Sequence, residues 1–260
     1  MLFKRYYILL LLFFGTASAQ YISTDDTRTP LQLIEDVLIN SGCASVSNVS
    51  VSGGNFATGD TSYGYFNANG SSFTFPEGII LSTGKIIDAR GPNYFISDDT
   101  APGWTGDQDL NYALGISNSI NATVLEFDFI PIGNQISFDY IFASEEYHGS
   151  ATCTYSDGFA FLLKEVGTTN YQNLALIPNT AIPVKVTTVH PEILGGCPAQ
   201  NEQYFDAFNG PEYPTNFNGQ TKVLTARATV IPNTPYHIKL VIADEGNYRY
   251  DSAIFLRGGS

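Results

Sequence analysis

The sequence predicts an all-β protein: a two-layer antiparallel β-sandwich of jelly-roll type, with one short N-terminal helix. Short apolar runs rich in β-branched and aromatic residues recur along the chain, among them Thr123–Ile130, Ile136–Ala143, Gly158–Lys164, Lys222–Val230, Tyr236–Ala243 and Ala253–Arg257. Turn chemistry separates them, as in Pro131-Ile132-Gly133-Asn134, Pro178-Asn179-Thr180 and Pro232-Asn233-Thr234-Pro235. No helical periodicity intervenes between the later runs, which favours antiparallel sheets packed face to face over a parallel α/β sheet.

The chain opens with a secretory signal over residues 1–19. Lys4 and Arg5 form the positive region, Tyr6–Phe14 the apolar stretch, and Ala17-Ser18-Ala19 the small-residue cleavage site. The apolar stretch falls well short of the roughly 20 residues that span a bilayer. The mature chain is therefore expected to begin at Gln20, to be secreted, and to insert no segment in a membrane after cleavage. Residues 20–260 fit one large β-domain.

One helix is signalled. Thr29-Pro30-Leu31-Gln32 supplies an N-cap, a proline at the first helical position and a glutamine that completes a capping box. Leu31, Ile34, Val37 and Leu38 then form an apolar face, and Gly42 is expected to end the helix. Further short strands are expected at Phe73–Phe75, Gly78–Ser82, Ala175–Ile177 and Ile182–Val189. Two long, weakly patterned segments, Asp88–Ser119 and His190–Gln220, are expected to be functional loops or to cover a sheet edge.

The whole chain carries a net charge of −13, and loss of Lys4 and Arg5 with the signal leaves −15. Such a chain repels phosphate backbones, which argues against nucleic acid and anionic lipid as partners and favours cations and neutral glycans. Cys153 and Cys197 lie in polar, loop-like segments of an exported chain, and a disulfide between them is expected, with Cys43 buried and free.

Signatures of common enzyme classes are missing: the chain has no GxSxG, HExxH, P-loop or GxGxxG motif, and His148, His190 and His237 show no ligand spacing. Acidic residues cluster instead at strand ends. Ile136–Ala143 runs with Ile136, Phe138, Tyr140 and Phe142 on one face into Ser144-Glu145-Glu146-Tyr147. Tyr236–Ala243 delivers Asp244-Glu245, and two further runs begin at Asp157 and Asp251. Glu145, Glu146, Asp157, Asp244 and Asp251 are therefore candidate ligands of a Ca²⁺ ion, which takes six to eight hard oxygen donors. A hairpin across the loop after Ala143 would bring Glu146 and Asp157 to one end of a sheet. Asp98-Asp99 and Asp107-Gln108-Asp109 are further acidic loop segments. The competing reading has each acid tying down its own loop. Tyr63, Tyr65, Phe66, Tyr94, Phe95 and Trp104 lie in Gly/Asn/Ser-rich or loop-like segments and are candidates either for stacking on sugars or for the core.

Taken in order, Gly78–Gly84, Gly91-Pro92-Asn93, Asp107–Asn111, Leu125–Phe129, Phe142–Tyr147, Asp157–Phe161, Leu174–Pro178 and Tyr236–Leu256 resemble the choice-of-anchor L domain of bacterial surface proteins. The resemblance runs from about Leu31 onward, and Cys153 and Cys197 fall where that family places cysteines. It implies an exported module displayed by varied anchors, in adhesin-like proteins of Gram-negative gliding bacteria that use type IX secretion. It implies no enzyme and brings no settled ligand. The expected function is thus a non-catalytic surface-binding or adhesin module, linked to gliding motility or attachment. Its partners would be an extracellular glycan or surface ligand, or other surface-protein subunits. The alternatives are a secreted glycoside hydrolase using an acidic pair and a spacer within a longer surface fibre.

Overall fold

A computed structural model describes residues 20–39 and 44–259. The signal segment and Cys43 lie outside the described residues. In chain order the strands are β1 (Ser23–Asp25), β2 (Ala44–Ser52), β3 (Tyr63–Asn67), β4 (Glu77–Ser82), β5 (Ser119–Pro131), β6 (Gln135–Ser144), β7 (Gly158–Glu165), β8 (Gln172–Asn173), β9 (Phe205–Phe208), β10 (Gly219–Thr221), β11 (Leu224–Thr229), β12 (Tyr236–Glu245) and β13 (Ser252–Arg257). They form two antiparallel sheets. The larger is ordered β1-β3-β4-β13-β6-β10-β9, with β11 also on β6, and the smaller is ordered β2-β5-β12-β7-β8. The two-layer sandwich expected from the sequence is the architecture found.

Each sheet carries an apolar cluster on both of its faces, while the edge strand β2 stays largely exposed. Between the sheets lies the main core, where Phe138, Tyr140 and Phe142 of β6 meet Phe159 and Phe161 of β7, with Ile238 and Leu240 of β12. Tyr140 packs edge-on against Phe159 and Phe161, with ring centroids 5.1 Å apart in each case. Phe255, in an apolar run like those of β6 and β7, does not join this core. It stands on the outer side of the larger sheet with Phe66, Phe73, Phe75, Ile141 and Phe217. β13 is buried on both faces, so its alternation does not say which face meets the other sheet. A third cluster, Leu110, Val124, Ala160, Leu162 and Val241, covers the outer side of the smaller sheet.

The helix starts as expected: Thr29 accepts from the Gln32 backbone N–H, and the Gln32 side chain caps Thr29 in return. Pro30–Gln32 then continues as a π-helical segment, Leu33–Leu38, closed by the Ile39 N–H on the Ile34 carbonyl. Extended backbone at Ile39 ends it, ahead of Gly42. Leu31 is exposed, and Leu33 takes the expected place of Leu31 on the buried face. The sequence hid β2, whose Ser- and Asn-rich stretch is largely exposed, and a second helix, Gln108–Leu114, capped by the Asp107 carboxylate on the Leu110 N–H. Conversely, Phe73–Phe75 forms no strand, Ala175–Ile177 contributes a single bridge, and Ile182–Val189 contains only bridges and a short 3₁₀ turn.

Cys153 and Cys197 are joined, closing a loop of sequence separation 44. Replacing both cysteines with serine is expected to cost about 4 kcal/mol through lost loop-closure constraint, read as a lower urea midpoint, with a steeper slope because the unfolded chain is less compact.

Candidate functional site

The strand ends converge at one end of the sandwich, and the two sheets bring different acids there. In the larger sheet Ser144 of β6 sits opposite Ser252 of β13. Glu145 and Asp251 are therefore neighbours, joined by a 3.0 Å bond from the Glu145 N–H to the Asp251 carbonyl. In the smaller sheet Ala243 of β12 sits opposite Gly158 of β7, which places Asp244 beside Asp157. Ser252 links the layers by donating to Asp157 Oδ2 at 2.6 Å. The expected hairpin across the loop after Ala143 does not form. β6 pairs with β13, β11 and β10, while β7 pairs with β12 and β8. The loop crosses from one sheet to the other, and Glu146 nears Asp157 through face-to-face packing.

All five acids are sealed: exposure is 0 % for Glu145 and Asp244, 1 % for Asp157, and 2 % for Glu146 and Asp251. Some of their oxygens are satisfied. Glu145 Oε1 accepts from the Ser97 N–H at 3.3 Å, Asp251 Oδ2 from the Asp99 N–H at 3.1 Å, and Asp244 Oδ2 from Asn121 Nδ2 at 2.9 Å. Others have no partner: Glu145 Oε2, Glu146 Oε2, Asp244 Oδ1 and Asp251 Oδ1. Burial pushes the Glu145 carboxyl up to about 8. Burial, reinforced by the charge of Asp157, takes Glu146 to about 10, and burial takes Asp157 to about 7. Asp244 and Asp251 are raised well above the usual carboxylate range, again by burial first and then by neighbouring carboxylates. As these side chains stand, no three His, Cys, Asp or Glu residues among the described residues are grouped so that they could hold one metal ion. The other acidic segments are already neutralised in part: Asp107 and Asp109 pair with Lys239, and Asp99 pairs with Lys85. Sealed carboxyls cannot touch a sugar, so an acid-pair hydrolase built on Glu145 or Glu146 has no route for its substrate.

Above this buried end lies a cleft of about 640 Å³, lined by His148, Ser150, Tyr155, Asn247, Arg249 and Tyr250. Its walls are the loops that leave β6 and β12. The first carries the 3₁₀ turn Gly149–Cys153 and is held by the disulfide. The second is shaped by the Arg249 N–H bonding Asn247 Oδ1 at 2.9 Å and by Tyr250 in the left-handed region, φ 67°. A non-glycine residue held there is the sort of strain that clusters at binding sites. The His148 and Tyr250 rings lie 6.2 Å apart, and Tyr155 is half exposed. The sequence offered no periodic signal for these residues because they sit on loops.

The aromatics divided. Phe66 is core, Tyr63 and Tyr65 are half-buried strand residues, and the Trp104 ring meets Phe56 edge-on while its Nε1–H donates to the Ala122 carbonyl at 2.7 Å. Tyr94 and Phe95 remain exposed, and the Tyr94 hydroxyl donates to Glu212.

A family model described as Choice-of-anchor L domain matches residues 21–260. No curated protein matches the chain. A solved structure of TmCBM61 in complex with β-1,4-galactotriose is similar at 10 % identity with a TM-score of 0.31, over 82 % of this chain and 89 % of that one. At that distance the likeness bears neither on the fold nor on a ligand of this chain.

Proposed function

The chain belongs to the choice-of-anchor L family, whose domains are found in surface-displayed proteins, and from that premise we propose that it is an exported, non-catalytic module that binds glycan at a cell surface. The carrying observation is the cleft between the loops after β6 and β12. Tyr155 and Tyr250 offer ring faces for sugar stacking, and Asn247, Arg249, Ser150 and His148 offer hydrogen bonds to hydroxyls. A loop tied by a disulfide loses little freedom when a ligand docks, which favours affinity. No helix among the described residues is long and apolar enough to cross a membrane. Display on the outer surface of a gliding bacterium, reached by type IX secretion, is the setting this reading proposes.

The test is a glycan array followed by calorimetric titration of the best binder. Tyr155→Ala and Arg249→Ala are expected to weaken binding by roughly tenfold each, about 1.4 kcal/mol, and to leave the melting temperature unchanged. Failure to bind any glycan, or parental affinity in both variants, would reject the cleft as the site.

A further inference from the structure

We propose that the buried acid end beneath the cleft binds one hard divalent cation, Ca²⁺ by donor type, seated between Asp244 and Asp251 and completed by neutral oxygens. The two carboxylates come from different sheets, Asp244 from the end of β12 and Asp251 from the start of β13. Each has one oxygen held by an N–H donor and one buried oxygen with no partner. A sealed, ionised oxygen without a donor is a state that folded proteins avoid unless a cation or proton completes it. Among the described residues no lysine or arginine forms an ion pair with any of the five acids. Lys85 is spent on Asp88 and Asp99, and Lys185 on Glu245.

The donor set favours a hard ion. Asn121 Nδ2 donates both to Asp244 Oδ2 and, at 3.4 Å, to the Asp99 carbonyl, and the Thr83 hydroxyl beside them accepts from the Ser252 N–H. The main-chain carbonyl of Asp99 and the hydroxyl of Thr83, with two carboxylates, are hard oxygen donors of the Ca²⁺ kind, and no sulfur or imidazole joins them to favour zinc. A set of two carboxylates plus neutral oxygens is also the one compatible with the absence of three convergent acids among the described residues. Gly84 gives the site its room: a Cβ there would stand 2.0 Å from Asp251 Oδ2 and 3.2 Å from Asp99 Oδ2.

The experiment strips the mature protein with chelator and titrates it calorimetrically with CaCl₂ and, separately, MgCl₂, in the absence of glycan. Its outcome is therefore independent of ligand binding at the cleft. Uptake of about one Ca²⁺ per chain is expected, with a melting temperature that rises as free Ca²⁺ rises. Asp244→Asn and Asp251→Asn should each lose Ca²⁺ affinity by roughly 100-fold, with circular dichroism confirming that the β-fold is kept. Asp109→Asn, at the exposed helix start, controls for loss of charge and should bind as the parent does. Two results would overturn the proposal: no heat and no thermal shift with either ion in a protein that also carries no metal as purified, or parental Ca²⁺ affinity in both folded variants. If one variant fails to fold, the other decides.

Discussion

Phe161→Ala is expected to lower the unfolding free energy by about 3–5 kcal/mol. The ring is fully buried, and it bridges the two sheets by meeting Phe138, Tyr140 and Phe159. Its neighbours are held by ladders in both layers, so the void left by the missing ring cannot collapse cheaply. Urea unfolding at fixed pH measures this as a lower midpoint at unchanged slope. Phe255→Ala should cost a similar amount from a different cluster. Because the two sites belong to separate clusters, the double variant should lose nearly the sum. A loss at Phe161 below about 1 kcal/mol would contradict the placement of β7 against β6.

In chelator, stability is expected to fall as pH rises from about 5 toward 10. In the unfolded chain the acids titrate at their ordinary values, 3.8 for aspartate and 4.5 for glutamate. Below those values both states are protonated and the buried carboxyls carry no charge penalty. As pH rises the unfolded chain ionises first, while the folded chain keeps its protons until about 7 at Asp157, about 8 at Glu145 and about 10 at Glu146. The folded state therefore binds more protons across this window, and each step up in pH removes stability. Summed over the buried acids, the loss is on the order of several kcal/mol. Thermal unfolding at a series of pH values reads it directly. Glu145→Gln, which preserves the acceptor used by the Ser97 N–H, should flatten the curve between about pH 5 and pH 8. Saturating Ca²⁺ should offset most of the alkaline loss, because the ion supplies the positive charge that protons supply at lower pH. A curve that rises with pH in chelator would show that these carboxyls are already compensated inside the fold.

Local chemistry made several features legible in the sequence. The capping box at Thr29 and Gln32 and the inward face of Phe138, Tyr140 and Phe142 follow from residue type and short-range spacing, and the pairing of Cys153 with Cys197 from the polar, loop-like segments that hold them in an exported chain. So did the gathering of Glu145, Glu146, Asp157, Asp244 and Asp251 at strand ends, since a carboxylate beside an apolar run marks where the run stops.

Tertiary structure decided what those features do together. A period of two states which residues share a face of a strand, but not which strand will hydrogen-bond beside it. The loop after β6 therefore read as a hairpin, whereas the chain crosses between sheets there and the acids meet through the closure of the sandwich. The same ambiguity hides the facing of β13: Ile254 and Leu256 face the other sheet while Phe255 points away, and all three are apolar because both faces of β13 are covered. β2 escaped notice because an edge strand with one solvated face has little apolar pattern to show. Burial of the acids was equally invisible, since a carboxylate's solvation is set by the loops folded over it and not by its neighbours in the chain.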